Sequence, residues 1–151
     1  MFAKKLPFLL FCLLTAVSIY PQNPSGTNTA DPCPGTETQY EMNQCMSRHY
    51  QDADRRLNDL YKRIETLMER QLENARDNKD AAQAKYEEGG LKNLRAAARA
   101  WISYRDPQCE AARQRFEGGS MAPMIYSGCM WRATEHRVQE LKDAYDEDLA
   151  Q

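Results

Sequence analysis

The chain has 151 residues, 42 % of them hydrophobic, and a formal net charge of −2. That is material for one ordinary domain with a modest core, not two. The near balance of charge excludes the strongly basic footprint of a nucleic-acid binder, so no nucleic-acid partner is expected.

Met1 to Ser18 begins with Lys4 and Lys5, runs apolar from Leu6 to Val17 and closes on the small residues Ala16-Val17-Ser18. This is the pattern of a secretory signal peptide, too short to span a membrane. Residues 1–18 are therefore read as a signal peptide, and the mature chain as exported, periplasmic or secreted. Cys12 follows Leu9-Leu10-Phe11, which lacks the small residues of a lipoprotein cleavage site, so no membrane anchor is expected. Losing Lys4 and Lys5 takes the net charge from −2 to −4. Residues 19–34, rich in Pro, Asn, Ser, Thr and Gly, read as a flexible linker, and residues 35–148 as a helical domain.

Thr38 and Glu41 have capping-box spacing. Behind them Met46, Tyr50, Ala53, Leu57, Leu60, Ile64 and Leu67 recur in steps of four and three, the seam of a long amphipathic helix. Asp77-Asn78-Lys79-Asp80 is a plausible break, with Asp80 as a new cap; the helix could equally run on to about Glu87. Gly89-Gly90 reads as a turn. Next come Leu91, Leu94, Ala98, Trp101 and Arg105, again at helical steps. Asp106-Pro107 should interrupt that helix, because Pro lacks a backbone donor and disfavours helical geometry before it, with Asp106 capping the turn that follows. The helix resumes to Phe116. Glu117-Gly118-Gly119-Ser120 is a stop followed by a new cap. The last helix carries Tyr126, Cys129, Ala133, His136, Val138, Leu141 and Tyr145 on or near one face. The sum is an all-α, antiparallel three-helix bundle: a helical hairpin plus a third helix, up-down-up.

Four cysteines remain after export: Cys33, Cys45, Cys109 and Cys129. An even count in an oxidising compartment points to two disulfides. Cys109 and Cys129 lie ten residues either side of Gly119, so a reversal there sets them face to face, leaving Cys33 with Cys45. Cys45 with Cys109 stays open, since a hairpin also brings those ends together. A zinc site would want Cys-x-x-Cys pairs or clustered histidines, and neither is present. His49 and His136 read as surface or boundary residues of helices. Asp52, Asp54 and Asp59 lie among arginines, as solvated faces do. No strand precedes either Gly-Gly pair to make a phosphate cradle. No catalytic residue, metal or cofactor is assigned, and the chain is not expected to be an enzyme.

Antiparallel counting around a bend near Asp77–Asp80 sets Asp54 across from about Arg105 and Leu57 near Trp101. A charge-assisted pair between Asp54 and Arg105 beside the Trp101 ring is expected, with Asp54, Asn58 and Tyr61 along one side of the first helix.

The chain resembles the LprI-type lysozyme inhibitor family of small exported helical proteins. The resemblance rests on Cys33, Thr38, Glu41-Met42, Cys45, Ala53-Asp54, Leu57-Asn58 and Tyr61, then Leu94, Ala100-Trp101-Ile102, Tyr104-Arg105-Asp106 and Cys109, then Gly119-Ser120, Cys129, Thr134, Arg137 and Leu141. It spans about residues 33 to 145. Ala98-Arg99 departs from the glutamine such proteins carry shortly before the tryptophan. The resemblance implies a protein that binds and blocks a lysozyme or another cell-wall hydrolase without catalysis, the alternative being a non-inhibitory interaction module of the bacterial envelope. The loop from Glu117 to Tyr126, with Ser120, Met121, Pro123 and Tyr126, is the first candidate contact surface.

Overall fold

A computed structural model of the protein describes residues 32–150. The segments read as signal peptide and most of the linker lie outside the described residues. Three helices follow one another: α1 (Gln39–Asp77), α2 (Ala81–Gln114) and α3 (Ala122–Leu149). The all-α bundle expected from the sequence is the fold of the protein.

The capping box that opens α1 is complete. The Thr38 hydroxyl accepts from the Glu41 amide at 3.2 Å, and Glu41 Oε2 accepts from the amides of Thr38 and Glu37 at 3.0 and 2.9 Å. Two donors that a helix start would leave unpaired are thereby satisfied. At its far end α1 stops at Asp77, and Asn78–Asp80 make a tight reversal. Lys79 adopts φ +58°, the left-handed region, while its amide and that of Asp80 reach back to the carbonyls of Arg76 and Ala75. Asp80 then caps α2 by accepting from the Gln83 amide at 3.0 Å. Of the two breaks the sequence offered, the one at Asp77–Asp80 is taken.

Gly89-Gly90 is therefore not a turn: both glycines lie inside α2. Glycine costs a helix interior about 1 kcal/mol against alanine, too little to stop a helix whose next turns bury Leu91 and Leu94. Gly90 also has a use there. A Cβ on it would come 2.9 Å from Met68 Cε, so its bare backbone lets α2 approach α1 closely. Pro107 does not end the helix either. The carbonyl it leaves without a donor is that of Ser103, and both residues are on the exposed side of the helix, where water can complete the bonding. Asp106 does not cap a turn; its carboxylate accepts from Arg105 Nε at 2.8 Å.

Glu65 lies opposite Arg95 (3.2 Å) and Met68 opposite Gly90, pairs whose midpoints fall within the Asn78–Asp80 reversal. That register holds α1 and α2 antiparallel. The third helix packs mainly against α1. Leu57, Leu60 and Ile64 of α1, Leu94 of α2, and Val138 and Leu141 of α3 form the core, flanked by Tyr61, Met68, Trp101, Tyr145 and Leu149. On α3 the buried face differs from the expected one. Met130 and Thr134 are its most buried side chains, Tyr126, Cys129 and Ala133 are half-buried, and His136 points to solvent beside Glu140. The buried stripe is Met130, Thr134, Val138 and Leu141, at regular helical spacing, and it shares only Val138 and Leu141 with the expected face.

Candidate functional site

Both disulfides sit toward one end of the bundle. Cys33 pairs with Cys45 and Cys109 with Cys129. The pairing of Cys45 with Cys109 is thus excluded. The first bond ties the segment before α1 to the second turn of that helix. The second ties α2 to α3 across the reversal at 115–121. Loop closure of this kind confines the unfolded chain and makes the ends of the helices rigid with respect to each other.

Within the loop closed by the second bond lies the reversal. Gly118 takes φ +79°, a conformation that side-chain-bearing residues rarely adopt, and the Gly119 amide bonds the Phe116 carbonyl at 3.0 Å. Ser120 is not the cap of α3. That place falls to Met121, without a side-chain bond, and Pro123 in the first turn needs no amide partner. The Ser120 carbonyl accepts instead from Asn43 Nδ2 of α1 at 3.1 Å, and Gln39 Nε2 approaches Met124 Sδ at 3.6 Å. These contacts hold the turn against the first turns of α1. The expected loop is also shorter than the sequence suggested: Pro123 and Tyr126 belong to α3, with Tyr126 half-buried, whereas Glu117, Ser120 and Met121 are on the exposed reversal. Phe116 and Met121 are exposed apolar side chains on it, and Tyr40 on the first turn of α1 is 71 % exposed. Met121 was among the expected contact residues, but Tyr40 and Phe116 were not readable from periodicity, because they are ordinary positions within helical patterns.

A second constellation lies at the middle of the bundle. Arg105 is buried, at 6 % exposure, yet its guanidinium reaches all three helices. It bonds Asp54 of α1 at 3.3 Å, Asp106 of α2 at 2.8 Å and the Thr134 hydroxyl of α3 at 3.3 Å. Its carbon centre stands 4.7 Å from the centroid of Trp101 and 5.6 Å from that of Tyr50. Burial works against the charge, but the carboxylates of Asp106 and Asp54 more than offset it and hold the pKa above its ordinary value. Burial also pushes the Tyr50 phenol up, Arg105 opposing. Tyr50, Asp54, Leu57, Asn58 and Tyr61 of α1 face Trp101, Ile102 and Arg105 of α2 across one groove of about 350 Å³. Tyr61 accepts from Arg137 Nε at 3.0 Å, a second tie to α3 beside Thr134. Tyr104 stands apart from it, 64 % exposed. The partner across from Arg105 that sequence reading could not supply is Thr134, since nothing in the spacing sets the rotation of α3.

The family described as "Lysozyme inhibitor LprI" matches residues 30–141. The chain belongs to the LprI lysozyme inhibitor family. The match takes in α1, α2 and most of α3, with all four cysteines of the two disulfides. A curated relative, an uncharacterized protein of Rhizobium meliloti (strain 1021), is 39 % identical over 121 residues, covering 80 % of this chain and 84 % of its own. No solved structure matches the chain. No helix among the described residues is long and apolar enough to cross a membrane.

Proposed function

We propose that this LprI-family protein is an exported inhibitor that binds a lysozyme, or another cell-wall-degrading enzyme, and blocks it without chemistry of its own. Residues 1–18 then act as the export signal, residues 19–34 as a tether, and the folded domain works in the periplasm or outside the cell. The observation that carries the reading is the exposed reversal from Phe116 to Met121, braced by a disulfide across its base and by Asn43 from α1. An inhibitor gains affinity when its contact loop is rigid before binding, because little conformational entropy is then lost. Phe116, Ser120 and Met121 offer apolar and small surface to enter a cleft, while Glu117 offers a carboxylate to the rim of a basic enzyme. Pro123 and Tyr126 support the reversal from α3.

The experiment is lysis of a peptidoglycan suspension by a c-type lysozyme, with oxidised mature protein titrated in. Loss of lysis near one equivalent is expected, and Met121→Asp should weaken it at least about ten-fold, the effect of about 1.4 kcal/mol at a contact residue. Full lysis at large excess would reject the inhibitor reading for that enzyme and favour the non-inhibitory envelope module, with pull-down from envelope extract as the next step.

A further inference from the structure

Cys45, Met46 and His49 lie within about one turn of α1, and all three side chains meet the segment that carries Cys33. The sulfurs of Cys33 and Cys45 and a ring nitrogen of His49 lie within 4.8 Å of one another. Met46 Sδ is 3.5 Å from Cys33 Sγ. His49 is held in place twice, by a 2.7 Å contact between Nε2 and the Pro32 carbonyl and by packing of its ring 5.0 Å from that of Trp131. One imidazole and two cysteine sulfurs thus meet at one corner, with the Met46 thioether beside the Cys33 sulfur. No other group of three such metal-binding side chains occurs among the described residues.

We propose that reduction of the Cys33–Cys45 disulfide turns this corner into a copper(I) site, with the two thiolates, the His49 imidazole and the Met46 thioether as donors. A dithiol reductant supplies two electrons and two protons: the S–S bond opens to two thiols, and the reductant leaves as its own disulfide. Binding of the cation then releases the two thiol protons to water. A disulfide holds its sulfurs about 2 Å apart, whereas two thiolates on one d¹⁰ ion stand about 3.7 Å apart at bond lengths near 2.3 Å. Cys33 can take up that difference, because it precedes α1 and lies in no helix. The choice of ion follows from the donors. Thiolate and thioether sulfur select copper(I), while a thioether adds little for zinc. Met42 and Met124 line the same groove of about 270 Å³ as Met46 and Cys33, so the approach to the site is itself lined with thioethers. The metal would close again the loop that reduction opens, joining residues 33 and 45 by coordination where the disulfide joins them covalently.

The test uses the whole mature chain, reduced with a phosphine and desalted without oxygen, then titrated with copper(I) bicinchoninate. The reduced protein is expected to withdraw one equivalent of copper, and the oxidised protein none. His49→Gln and Met46→Leu should each weaken binding by about ten-fold or more, the usual cost of disturbing a metal site. The double variant Cys33→Ser/Cys45→Ser should lose it, and Cys109→Ser/Cys129→Ser should keep it. Copper should also raise the thermal midpoint of the reduced wild type, and that of reduced His49→Gln by less. Binding that survives both His49→Gln and Met46→Leu would mean thiols alone hold the ion, and would overturn the proposal. So would an untouched bicinchoninate complex, or a zinc affinity indifferent to Met46→Leu and exceeding that for copper.

Discussion

Arg105 shows how one side chain ties three helices. A buried guanidinium is tolerated only where carboxylates and rings replace water around it, and here Asp106, Asp54, Thr134, Trp101 and Tyr50 do so. Removing it leaves a hole and strips three polar groups of their partner. Arg105→Ala should cost about 3 kcal/mol in urea unfolding. Asp54 is partly exposed and water can replace some of what it accepts, so Asp54→Ala should cost less, about 1.5 kcal/mol. An Asp54→Ala protein as stable as wild type would sink the structural role assigned to the pair. Glu41 makes a prediction of the opposite kind, one about acid. Its carboxylate is held below the ordinary 4.5 by the amides of Glu37 and Thr38 and the Thr38 hydroxyl. A depressed folded pKa means the cap is at full strength above pH 4.5 and weakens as pH falls through the lowered value. Amide exchange in the first turn of α1 should therefore accelerate in that acid range, and Glu41→Gln should abolish the acceleration.

At the scale of the helices, the departures from sequence expectation share one cause. Local breaking signals are worth about 1 kcal/mol at glycine and about 3 at proline, and long helices packed on two partners outweigh them. Gly89 and Gly90 lie in α2 for this reason, and they separate two effects. A Cβ on Gly89 meets nothing within 4 Å, so Gly89→Ala should raise stability by about 1 kcal/mol. A Cβ on Gly90 meets Met68 Cε at 2.9 Å, so Gly90→Ala should recover little or none of that gain. Equal thermal shifts for the two variants would show that the close approach at Met68 carries no energetic weight. Pro107 is kept for a different reason, since the carbonyl it deprives of a donor faces water.

The described domain is three helices stapled toward one end. Three helices around a single seam bury less than a globular domain of the same length, so covalent links take a larger share of the stability. The Cys109–Cys129 bond closes a separation of 20 residues. Its removal by Cys109→Ser/Cys129→Ser should cost about 3 kcal/mol in the chain-entropy account. The loss should appear first as faster amide exchange around the 115–121 reversal rather than around Asn78–Asp80. Uniform loss of protection along the bundle would show that the disulfide acts on the entire fold instead. The same reversal is the contact surface proposed above, so on that proposal the double variant should also inhibit less well at temperatures where it remains folded.

By itself the sequence determined the features that depend on spacing along one helix or on counting across one turn. The capping box, the seam from Met46 to Ile64 and the partners Asp54 and Arg105 follow from 3.6-residue periodicity and from antiparallel symmetry about a reversal. Such symmetry also favoured Cys109 with Cys129 but left Cys45 with Cys109 open until the structure settled the pairing. Family membership was legible for the same reason, since its motif is a set of such spacings. What required the tertiary structure was the choice between competing local signals and the rotation of α3. Whether Gly89-Gly90 or Asp77–Asp80 turns the chain depends on which register buries Leu91 and Leu94, a long-range quantity. That Thr134 faces Arg105, and that His49 and Met46 meet the Cys33–Cys45 pair, depends on how separate segments are set against one another. Periodicity gives each helix a buried face, but the identity of the side chains that meet across helices is settled only when all the faces pack at once.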